Sequence, residues 1–242
     1  MSGTWVLVVL ILISSIPVAV VYLWFRREKY QLSFIRFLFI LLTGASAFFP
    51  ALILQDLLRI RLSAGSRGEV FYELFIRIAL TEEISRLLML LIFLWICSLI
   101  KPGDGLNEPV TSNSIKKGTA IGLVAGLGFA ILESARYAAS DMSINIVLLR
   151  FFTAALHGAC GSRIGAAAVL FKESPIKALM RIFTAIAIHG VYNFMIDKPG
   201  IPSVAAMLIA ISALATAILS IRGGWSKEEP SATTLDKSKE NT

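Results

Sequence analysis

Seven apolar stretches, each near or above the length a helix needs to cross a bilayer, recur along this chain: Trp5–Phe25, Ser33–Leu54, Phe71–Ile100, Ile115–Ala139, Ile144–Phe171, Ile176–Ile196 and Ile201–Ile221. A bilayer core takes about 20 apolar residues in helical form. It offers no water to open backbone groups, so segments of this kind fold as helices. The pattern predicts an all-α, polytopic transmembrane helical bundle of about seven spans. Charged residues make up 16% of the chain, against about 25% in soluble domains, and mean hydropathy is +0.76. The third and fifth stretches are long enough to tilt or to carry an interfacial lead-in such as Glu73 to Arg77. Pro50 is positioned to kink the second.

The formal net charge of +7 reads through topology, because basic residues collect on the cytoplasmic side. With the N-terminus outside, that side receives Arg26, Arg27, Lys29, Lys101, Lys116, Lys117, Lys172, Lys177, Arg181, Arg222 and Lys227. The other side receives Arg59, Arg61, Arg67, Arg136 and Lys198. The expected orientation is N-out, C-in. The first apolar run precedes its basic residues, so its helix is expected to be retained rather than cleaved. The bundle is expected over 1–222, with a motif-bearing core at 71–197. Residues 223–242, almost without apolar content, read as a disordered cytoplasmic tail. Cys97 and Cys160 lie in apolar runs with neither disulfide nor Cys-x-x-Cys spacing, and read as packing residues. No compact basic and aromatic patch marks a nucleic-acid partner.

Against that apolar background Glu82 and Glu83 stand side by side in the third stretch. An ionisable group in hydrocarbon costs several kcal/mol unless it is paired or faces a polar cavity, and like-charged neighbours repel. Three further polar groups, Glu133, His157 and His189, lie in three later stretches. At about 1.5 Å per helical residue, all five reach one layer between the midplane and the outer face. Two small-residue seams run toward them. Gly122, Gly126, Phe129 and Glu133 share one helix face, and His157, Gly161 and Gly165 share another.

Glu82 and Arg86 are four apart and can pair. Glu83 points about 100° away and needs another partner: His157, His189 or a metal. His189 and Asn193, also four apart, can hold a water or an oxyanion. Two histidines with one or more carboxylates form a plausible zinc set with an open position for water, although no His-Glu-x-x-His motif is present. Without metal, a glutamate can act as general base, aided by His. Both routes give peptide hydrolysis within the bilayer.

In order, Glu82-Glu83-Ile84-Ser85-Arg86, Phe129-Ala130-Ile131-Leu132-Glu133, His157-Gly158 and His189-Gly190-Val191-Tyr192-Asn193 resemble the four motifs of PrsW-type intramembrane proteases. That family sits in the wider group of CAAX prenyl proteases and bacteriocin-processing membrane enzymes. The resemblance covers about Phe71 to Asp197. It implies a membrane-embedded peptidase site holding Glu82, Glu83, Glu133, His157 and His189. By that analogy Glu82 or Glu83 is the base, His189 with Asn193 supports the oxyanion, and Glu133, His157 and His189 complete a water or zinc site, with Arg86 and Phe129 in support. The implied partners are the lipid bilayer and a membrane-anchored protein substrate, such as a regulator cut near the outer face of a bacterial cytoplasmic membrane. Arg86 stands where the PrsW pattern usually has Lys. Glu133 stands where the CAAX branch has His, which disfavours prenyl-protein processing.

Two other classes compete. A scaffold resembling the APH subunit of gamma-secretase shares seven spans and histidines in the fifth and sixth, but needs fewer carboxylates than Glu82, Glu83 and Glu133. An ion- or proton-coupled transporter uses intramembrane Glu and His as relays, usually with inverted repeats, which this chain lacks.

Overall fold

A computed structural model describes residues 3–28, 30, 32–60, 66–100, 110–138, 144–196 and 200–222. Among them every regular element is helical: α1 (Gly3–Arg27), α2 (Phe34–Ser46), α3 (Phe48–Leu57), α4 (Arg67–Phe71), a π-helical segment (Tyr72–Leu80), α5 (Thr81–Ile100), α6 (Ser112–Ala138), α7 (Ile144–Leu170), α8 (Pro175–Ile196) and α9 (Ile201–Ile221). The tail expected at 223–242 lies outside the described residues.

Four segments are long and apolar enough to cross a membrane: Phe34–Leu57, Ser112–Arg136, Pro175–Ile196 and Pro202–Ile221. One of them differs from the rest. The apolar window of Ser112–Arg136 is 78% buried inside the protein, against 28% in each of the others, so α6 is the axis of the bundle. It packs against α1, α2, α7 and α9. The outer helices turn Phe34, Ile35, Phe39, Phe49, Ile53, Phe183 and Leu208 outward. An exposed apolar surface of that extent is an aggregation hazard in water and an ordinary lipid-facing surface in a bilayer.

The two glycine seams meet each other. A Cβ on Gly122 would overlap the Gly161 carbonyl, and one on Gly126 the His157 carbonyl. α6 and α7 are therefore in backbone contact along Gly118, Gly122, Gly126, Gly161 and Gly165. Backbone atoms are the nearest neighbours at Gly122, Gly126, Gly161 and Gly165, while at Gly118 the Val169 side chain also reaches the seam. Contact this close fixes the rotation of both helices, and so the directions in which Glu133 and His157 point.

Two of the expected spans are not single α-helices. The stretch Ser33–Leu54 breaks at Ala47 into α2 and α3. Pro50 has no N–H to give the Ser46 carbonyl, and its ring crowds that carbonyl. The chain recovers with Ala51 N–H donating to Ala47 O at 3.3 Å. The stretch Phe71–Ile100 enters as a π-helix and becomes α-helical at Thr81. At the junction the Thr81 hydroxyl donates to Arg77 O at 2.6 Å. π-turns inside helices cluster at functional sites, and this one ends two residues before Glu82.

Candidate active site

α5 supplies Glu82, Glu83 and Arg86, all buried, with Glu83 at 0% and Arg86 at 1% exposure. The first turn of α5 follows directly on the wide π-helical segment, and the packing of Phe75 against Gly190 holds that segment beside α8. α6 supplies Phe129 and Glu133, α7 supplies Arg150 and His157, and α8 supplies His189. The five residues expected to converge do converge.

Their pairing follows a repeated scheme. Glu83 Oε1 lies 2.8 Å from His189 Nδ1 and 2.7 Å from Arg86 Nη2. Glu133 Oε2 lies 2.9 Å from His157 Nε2 and 3.3 Å from Arg150 Nη1. Each imidazole is thus held on one nitrogen by a carboxylate, and each carboxylate is backed by a guanidinium. A carboxylate accepts, so the nitrogen facing it carries the proton, and in the neutral imidazole the opposite nitrogen keeps its lone pair. The free nitrogens are His189 Nε2 and His157 Nδ1. The two rings stand edge to face with centroids 5.1 Å apart. Thr153 and Tyr192 tie α7 to α8 beside them through hydroxyls 3.0 Å apart.

Arg86 pairs with both glutamates: the expected contact with Glu82 is 3.7 Å, and a closer one with Glu83, three residues away, is 2.7 Å. It also donates to His157 O at 3.4 Å and sits over the Phe129 ring, 4.6 Å from the centroid. Those two contacts hold the guanidinium against α6 and α7. Asn193, one turn beyond His189, is half-buried and, among the described residues, makes no hydrogen bond to the cluster.

Glu82 is held differently. Its Oε1 accepts a hydrogen bond from Gln55 Nε2 on α3 at 3.1 Å. Its Oε2 faces His189 Nε2 at 3.7 Å. Glu82 Oε2 and His157 Nδ1 are both buried with no hydrogen-bond partner in the protein. Ligand atoms of Glu82, His157 and His189 lie within 4.8 Å of one another, whereas the metal set expected from the sequence carried Glu133 in place of Glu82. Glu133 spends its Oε2 on His157 and Arg150 instead. Two imidazoles and a carboxylate are an established donor set for catalytic zinc. Buried atoms lacking a partner are what an absent cation would leave. Three carboxylates against two guanidiniums also leave the cluster one negative charge in excess. The residues present fit a divalent metal ion.

A cleft of about 200 Å³ reaches the cluster between α3, the π-helical segment and α6. Gln55, Glu82, Phe129 and Glu133 line its inner part, and Glu73, Arg77 and Arg136 line it as well, nearer the ends of their helices. Glu83 does not line it. Of the two carboxylates between which the sequence leaves the base undecided, only Glu82 meets the cleft.

The profile of the PrsW family intramembrane metalloprotease matches residues 33–219. The chain belongs to that family. The match spans α2 through most of α9, so the site and every helix that carries it lie within the family's domain. No curated protein and no solved structure matches the chain. An intramembrane protease acts on a protein in the bilayer, and Glu82, His157 and His189 form a set that could hold a metal ion. The scaffold and transporter classes lose their footing with the family established.

Two residues of the cluster escaped the sequence reading. Gln55 fell one residue past the expected end of its span, yet it shares a helical face with Phe48, Ala51 and Leu52, all of which line the cleft. Arg150 lies two turns before His157 on α7, and an arginine in an apolar run was a signal that a polar partner must exist.

Proposed function

We propose that this protein is a metal-dependent intramembrane endopeptidase that hydrolyses membrane-anchored protein substrates, such as regulators, near the outer face of a bacterial cytoplasmic membrane. The observation that carries the proposal is the convergence of Glu82, His157 and His189 within 4.8 Å, with the far nitrogen of each ring already held by Glu83 or Glu133. Such carboxylate–imidazole pairs orient ligands and raise their basicity.

Glu82 Oε2, His157 Nδ1 and His189 Nε2 would hold the ion. A zinc ion held there would supply a water acidified to a pKa of about 7 and Lewis-acid polarisation of a carbonyl. The base is then Glu133 rather than Glu82 or Glu83, because Glu82 would be a ligand and Glu83 does not line the cleft; Glu133, which does, takes the proton released when water attacks the carbonyl carbon. It gives that proton to the departing amine as the C–N bond breaks. Arg150, 3.3 Å from Glu133, holds this carboxylate in place. Phe129 and the apolar walls of α3 restrict water to the inner cleft.

The cleft opens at the end of the bundle where α3 and α6 finish and the π-helical segment starts. With seven spans oriented N-out and C-in, that end faces outside, which supports cleavage near the outer surface. The decisive experiment compares the termini of membrane proteins in cells carrying the wild type or the Glu82→Gln, Glu83→Gln double variant at matched expression. Single-span proteins that stay full length only with the variant are substrates. Identical termini under envelope stress and in unstressed growth overturn the proposal.

A further inference from the structure

Glu82 differs from the other two carboxylates of the cluster in having no close cation. Glu83 has Arg86 at 2.7 Å and Glu133 has Arg150 at 3.3 Å, while the nearest guanidinium to Glu82 is 3.7 Å away and engaged with Glu83. The only side-chain hydrogen bond to Glu82 among the described residues comes from Gln55, at 3.1 Å, on a different helix. Gln55 is 9% exposed and lines the same cleft.

A neutral donor has a specific consequence. A guanidinium beside a buried carboxylate compensates its charge. An amide N–H satisfies one oxygen and leaves the negative charge in place. Gln55 takes Oε1 and leaves Oε2 without a partner, turned toward His189 Nε2. A carboxylate without the amide has two equivalent oxygens and free rotation about its last bond.

The amide reaches this point because α3 leaves the line of α2. The break at Ala47, set by Pro50, redirects the chain so that Ala51 packs with Ala47 and Phe129, and Gln55 follows one turn later. α3 also packs against α5.

We propose that Gln55 is a positioning residue that aims Glu82, and that its amide sets the affinity of the Glu82, His157, His189 point for a divalent cation. This rests on the metal-dependent reading above. It does not make Gln55 a ligand: its contact is with Glu82, and its effect travels through that carboxylate.

The test is zinc binding by the purified full-length protein in detergent, by competition with a chromophoric chelator, alongside the visible absorption of the Co(II)-loaded form. Gln55→Met keeps the length of the side chain and removes the donor, and Gln55→Ala removes both. Zinc should bind about 10- to 100-fold more weakly to either variant, as loss of an outer carboxylate partner costs at other sites, and the Co(II) bands should shift or broaden. Ile53→Ala, on the lipid-facing side of the same helix, should bind zinc as the wild type does. Far-UV circular dichroism separates an unfolded variant from an altered site, and either Gln55 variant suffices if the other does not fold. Equal zinc affinity and unchanged Co(II) bands in a folded Gln55 variant overturn the proposal and leave the metal reading intact. Wild-type protein that takes up neither zinc nor cobalt overturns the metal reading and this proposal with it.

Discussion

Glu83 and His189, 106 positions apart in the chain, meet with Oε1 2.8 Å from Nδ1, and the same oxygen faces Arg86 at 2.7 Å. This contact joins the first turn of α5 to the middle of α8. Glu83 does not line the cleft and contacts the imidazole, whereas Glu82 lines the cleft.

Glu83→Gln and His157→Ala should therefore both abolish proteolysis while membrane insertion is retained. An amide at 83 offers His189 one acceptor oxygen but no charge, and leaves Arg86 buried against a neutral group. Loss of His157 removes one of the three atoms at the point of convergence. Cleavage by either variant should fall at least about 100-fold, measured as appearance of the new substrate terminus. Glu28→Gln, outside the cluster, should cleave normally. Normal cleavage by both site variants would show that the cluster is not the active site.

Arg86 is an ion pair, a carbonyl donor and a cation over Phe129 at once. Removing one partner of a buried pair leaves the other charge uncompensated, at a cost of about 3–5 kcal/mol. Arg86→Met should lower stability by that order, seen as a fall in the thermal midpoint in detergent. Arg86→Lys keeps the charge and should be milder. It loses the planar fork that reaches Glu83 and His157 O together. A lysine variant as damaging as methionine would mean that geometry outweighs charge here.

Gly122 lies against the Gly161 carbonyl with no room for a Cβ. Gly122→Ala should push α6 from α7 and cost about 1–3 kcal/mol, in the range of overpacked cores. Because Gly126 and Phe129 continue the same face toward Glu133, activity should fall with stability. Gly68→Ala, where a Cβ meets little, is the comparison. A Gly122→Ala protein of wild-type stability would contradict backbone contact along the seam.

Metal removal should destabilise the fold as well as stop cleavage. An ion that binds only the folded state contributes about 4 kcal/mol at 1,000 times its dissociation constant. Chelation should lower the thermal midpoint of the wild type, and zinc should restore it. His189→Ala protein should show no such difference. Equal midpoints with and without chelator would remove the metal from the folded wild type.

Much of the cluster was legible in the one-dimensional pattern, for a physical reason. Hydrocarbon makes charge so costly that Glu82, Glu83, Glu133, His157 and His189 stand out against their surroundings, and helical rise places them at one depth. The glycine spacing on α6 and α7 likewise announced close helix contact. Pro50 marked a kink, because a missing N–H is a property of the residue itself.

The partners of each group were decided only by the folded chain. Depth along a helix follows from residue number, but the direction a side chain takes toward another helix depends on how both are rotated. The seam at Gly122 and Gly161 and the π-helical turn before Thr81 set those rotations. So Arg86 lies closer to Glu83 than to Glu82, Glu133 backs His157 while Glu82 joins the two imidazoles, and Gln55 and Arg150 complete the cluster. The composition and spacing of the chain determined an all-helical membrane bundle with a buried ionisable layer. Helix rotation, which no local pattern encodes, decided which atoms in that layer face each other.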